Sequence, residues 1–219
     1  MLDPLDKIAV PTSAGTYVIE LHYDTFAPVP DYTDDGGFVY LGDSRTISAG
    51  IGDRAPEVAA LIRAHTAHND GLWPHECRSA AAIARYLHLT YGLAGVLEVS
   101  RCADTYTAAA PSTDRYAAVD GMAWAPGDAT YPERYTRATV ATYNAWANGE
   151  VYGYVVNGPD GRELDSCWDF YANTDEPLGS HDAHGLDHML DQAHDAIEGD
   201  LESRTAAANT AGAGFRGII

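Results

Sequence analysis

The sequence predicts an α+β protein of antiparallel strands and hairpins with about four helices. Three observations predict it. Short β-branched and aromatic runs are bounded by Gly, Pro and Asp; four stretches carry apolar residues at helical spacing; and the two kinds do not alternate in a strand-helix-strand rhythm.

Tyr17 to Asp24 reads as a strand, ended by Pro28-Val29-Pro30, which cannot continue a ladder. Asp34-Asp35-Gly36-Gly37 is turn chemistry, so Phe38 to Leu41 reads as a second strand, expected to pair antiparallel with the first. Arg54 to His68 places Val58, Leu61, Ile62 and His65 on one helical face behind Pro56. Glu76 to Tyr91 repeats the pattern with Ala80, Ile83, Ala84 and Leu87, and Gly92 is its cap. Gly95 to Arg101 is a strand, the stretch through Pro111 reads as irregular, and a strand is expected within Tyr116 to Trp124. Tyr131 to Asn148 is a helix with Tyr135, Ala138, Thr139, Thr142 and Trp146 on one stripe, stopped by Asn148-Gly149. Val151 to Val156 and Leu164 to Tyr171 flank Asn157-Gly158-Pro159-Asp160-Gly161, the firmest hairpin signal in the chain. The last helix runs from about 185 to 203. The element order suggests two similar α+β halves, 1–92 and 93–204, the second containing hairpin 150–171, followed by a flexible tail at 205–219 whose stretch from Thr205 to Gly214 is Ala, Thr, Asn and Gly only.

Composition limits the function. The 219 residues are 46% hydrophobic, enough for a real core, and 32 acidic against 13 basic residues give a net charge of -19. That charge repels phosphates, so nucleic acid is not expected as a direct ligand, nor is an anionic membrane. Lys7 is the only lysine, and Asp outnumbers Glu by 22 to 10, a bias typical of salt-adapted or GC-rich genomes. The three cysteines, Cys77, Cys102 and Cys167, are odd in number and far apart, which favours reduced thiols. With no signal-like N-terminus and no apolar run of about 20 residues, the expected location is the cytoplasm.

One stretch stands out. From Glu163 to Glu202 the chain holds twelve carboxylates and no Lys or Arg. Five of them, Asp187, Asp191, Asp195, Glu198 and Glu202, recur at spacings of four, four, three and four. At about 100° per residue they share an arc of roughly 80°, opposite Leu186, Met189, Leu190, Ala193, Ile197 and Leu201. Carboxylates in such a row resemble a line of phosphates, and the expected partner is a basic protein surface, as for a DNA mimic. The same row also reads as the solvated face of an acidic protein, because each like-charge pair costs a helix only about 0.2–0.5 kcal/mol.

A second chemistry overlaps the first. His181, His184, His188 and His194 are interleaved with carboxylates, and His184, His188 and Asp191 stand at i, i+4 and i+7. Two imidazoles and a carboxylate suit a divalent metal with an open coordination position, the basis of an alternative reading as a metal-dependent hydrolase or binder. The other reading of these histidines is solubilising residues on an exposed helix. Ser166-Cys167-Trp168 has the order found around a papain-type nucleophile, but Cys167 falls in a strand with no downstream partner set, so it reads as a small buried group. No phosphate loop, paired CxxC or HExxH motif is present.

The hairpin carries a resemblance. Asn148-Gly149-Glu150-Val151-Tyr152-Gly153-Tyr154-Val155-Val156, then Asp160-Gly161 and Asp165-Ser166-Cys167-Trp168-Asp169-Phe170-Tyr171, resembles the C-terminal part of a family of uncharacterised phage, prophage and plasmid proteins that read NGEVYGYVV and DSCWGFYG. Weaker echoes lie at 96–124 and 17–42. The chain lacks the family's Asp-His-Ser-Gly and Trp-Asp-Ser-Gly-Gln-Val-Gly motifs and has Asp169 where the family has Gly. The resemblance implies a mobile-element accessory protein and, the family having no assigned catalytic residues, brings no chemistry with it. With the acidic row, it leads to the expectation of a non-enzymatic protein that binds a basic host protein, with a structural virion component as a further alternative.

Overall fold

The computed structural model describes residues 3–30, 35–42, 45–67, 79–114, 117–171 and 186–214. In chain order the elements are β1 (Asp6–Thr12), β2 (Gly15–Tyr23), β3 (Gly37–Leu41), β4 (Ile47–Ile51), α1 (Ala55–Ala67), α2 (Ala80–Tyr91), β5 (Ala94–Cys102), β6 (Thr105–Ala109), β7 (Gly121–Ala125), α3 (Pro132–Ala147), β8 (Val151–Asn157), β9 (Glu163–Tyr171) and α4 (Leu186–Gly214). All strand pairs are antiparallel, in one sheet ordered β1-β2-β8-β9 and another ordered β4-β3-β7-β5-β6, so the fold is α+β.

The chain forms two compact units. One is Pro28–Asn148; the other joins Met1–Ala27 to Gly149–Ile219. The expected division near residue 92 is therefore corrected. Residues on both sides of it share one sheet, because β7 pairs with β3 on one side and β5 on the other. The expected pairing of the first two strands read from the sequence is corrected too: β2 and β3 belong to different sheets, and the partners of β2 are β1 and β8. The units are not similar halves: among the described residues one carries four strands and α4 and the other five strands and α1 to α3.

In the Pro28–Asn148 unit the sheet is covered on both faces. Val58 and Ile62 of α1 and Ile83 and Leu87 of α2 pack with Val39, Leu41, Met122 and Trp124. Val140 and Tyr143 of α3 pack with Phe38, Ile51, Val99, Tyr106 and Ala123. β3 and β7 thus send alternate side chains to opposite cores. Local signals set the helix ends: the Ser79 hydroxyl accepts the Ala82 N–H at 3.2 Å, and Gly92, at φ 71°, closes α2 in the left-handed region. The sequence reading missed β6, whose edge is covered from α3. The buried Asn144 side chain accepts the Tyr106 N–H at 2.9 Å and donates to its carbonyl at 2.8 Å, capping an edge that would otherwise be open.

Among the described residues the other unit has one sheet and one helix. Tyr17, Ile19 and Leu21 of β2 and Tyr154 and Val156 of β8 form a single apolar face, and Leu186, Met189, Ala193 and Ile197 of α4 bury against it. The expected 185–203 helix begins at Leu186 and continues to Gly214, which corrects the flexible tail over 205–214; residues 215–219 lie outside the described residues. Ala-rich sequence extends it, and the Thr205 and Thr210 hydroxyls donate to the carbonyls of Leu201 and Ala206 instead of breaking it.

Candidate functional site

The predicted hairpin is β8 and β9, paired from Val151 with Tyr171 to Asn157 with Glu163. Two of its motif residues have a packing reason. A Cβ on Gly153 would lie within van der Waals overlap of the Trp168 ring, so the indole lies across the backbone of β8 only because residue 153 is glycine. Asp169 has φ 66°, in the region that favours glycine, at the position where the resembling family carries glycine. Its N–H donates to Asp24 Oδ2 at 3.3 Å, and Asp24 Oδ1 accepts the Phe26 N–H at 3.0 Å. Cys167 is half-buried in β9 and packs at the rim of the α4 core, as a small apolar group does.

On this sheet α4 is laid down with its carboxylates sorted by face. Asp191, Asp195, Glu198 and Glu202 are exposed and Asp187 is half-exposed; among the described residues none of the five has a cationic partner. Asp200 falls outside the row, on the docked side. There it accepts hydrogen bonds from the Tyr17 hydroxyl at 2.8 Å and from Arg204 Nε at 2.5 Å, and Arg204 reaches Asp160 in the hairpin turn at 3.7 Å. The Arg204 and Tyr17 bonds hold the Asp200 carboxyl below the usual range, while burial, then the bond to Asp200, pushes the Tyr17 hydroxyl up. Sequence reasoning missed this clamp. Its signal was present: Asp200 breaks the phase of the row and has Arg204 four residues on.

Between hairpin and helix lies an open cleft of about 490 Å³, lined by Tyr154, Leu164, Asp165, Gln192, Asp195 and Ala196. Tyr154 is 2% exposed and its hydroxyl donates to Asp165 Oδ2 at 2.8 Å. Burial, with help from that bond, raises the phenol's pKa, so it stays a donor throughout the physiological range. Asp195 joins this cleft to the exposed row.

The metal alternative is only partly placed. His184 and His181 lie outside the described residues; His188 and Asp191 are both exposed on α4, and His188 Nε2 stands 2.9 Å from Gln192 Nε2. Among the described residues no group of three or more His, Cys, Asp or Glu side chains is arranged to hold a metal ion. No described helix is long and apolar enough to cross a membrane. Comparison of the chain with protein-family models, with curated proteins and with solved structures returns no match.

Proposed function

We propose that the exposed face of α4 is a docking surface for a basic protein, and that the chain is a non-enzymatic accessory protein of a phage or plasmid which occupies a DNA-binding surface of its host. One observation carries the reading. The docked carboxylate, Asp200, is met by the Tyr17 hydroxyl and by Arg204, yet among the described residues the five on the other face have no cationic partner. An intramolecular role would have been met by intramolecular partners. From Asp187 to Glu202 the row spans roughly 22 Å at 1.5 Å per residue, which matches the rise of about six nucleotides on one DNA strand. The mobile-element setting rests on the hairpin resemblance.

The test is capture from a bacterial lysate on immobilised protein at about 50 mM and about 200 mM salt. The expected result is a basic nucleic-acid-binding protein, retained at low salt, released at high salt and displaced by duplex DNA. Recovery of no basic protein at low salt refutes the proposal, as does a partner that duplex DNA fails to displace.

A further inference from the structure

We draw no further inference here: the strongest candidate, the buried His22 of β2, whose Nε2 makes no hydrogen bond among the described residues and stands 3.7 Å from Glu20 Oε2 beside the Trp168 ring, belongs to no group of three or more side chains arranged to hold a metal ion, and nothing in the structure shows what else would meet it.

Discussion

Asp191 is flanked on α4 by Asp187 and Asp195, each four residues away, and among the described residues no cation pairs with the three. Replacing it with Asn removes two like-charge pairs of about 0.2–0.5 kcal/mol each, so Asp191→Asn should stabilise the fold by about 0.4–1 kcal/mol. Asn and Asp have similar helix propensity and the side chain is exposed, so neither propensity nor packing offsets the gain. The same substitution should weaken binding to a basic partner, which makes stability and binding move in opposite directions, as they do where a surface is kept for function. Urea unfolding at low salt measures the first change, and the gain should shrink at high salt as the repulsion is screened. A loss of stability of about 0.5 kcal/mol or more would show that the Asp191 carboxylate is engaged within the fold and would refute the claim that the row is free.

Other predictions follow from the same geometry. Ile197→Ala, which empties a buried position in the α4 seam, should cost about 2–5 kcal/mol in urea unfolding, whereas a cost under about 1 kcal/mol would mean that α4 is not docked there. Asp200 has a depressed pKa in the fold, so its contribution is present above the unfolded value of about 3.9 and is lost as pH falls through the lower folded value. Stability measured from pH 6 downward should therefore fall less steeply in Asp200→Asn than in the native chain, and parallel acid limbs would contradict the clamp. Gly153→Ala drives a methyl group into the Trp168 ring and should destabilise by about 1–3 kcal/mol with a change in tryptophan emission; an unchanged spectrum would contradict the packing. His184→Ala should leave the metal content of the purified protein unchanged, and stoichiometric zinc lost in that variant would favour the metal reading over docking.

Much of this architecture was legible because it rests on local pattern. The β8–β9 hairpin follows from its turn sequence, and the two faces of α4 follow from the phase of its apolar and acidic residues. What the sequence did not reveal depends on distant partners. β1 holds Pro11, which is harmless only because β1 is an edge strand, and β4 reads Ile-Ser-Ala-Gly-Ile, with little strand propensity of its own. β6 is held by Asn144, 38 residues away, a partner that no window of local sequence contains. The unit boundaries were missed for the same reason, since β2 finds β8 across the whole Pro28–Asn148 unit. In the site, the row was visible, but the cleft and the clamp required Tyr154, Asp165 and Tyr17 to be brought under the helix.

The central claim is that the acidity of α4 is placed for binding and is more than a share of the chain's charge of -19. The most direct measurement compares two variants with equal loss of charge, by their affinity for the captured basic protein. One neutralises Asp187, Asp191, Asp195, Glu198 and Glu202; the other neutralises the exposed Asp3, Asp53, Glu57, Asp128 and Glu133. Affinity should collapse in the first and fall only slightly in the second. An equal fall in both would mean that the partner senses the net charge, and the row would then have no function of its own.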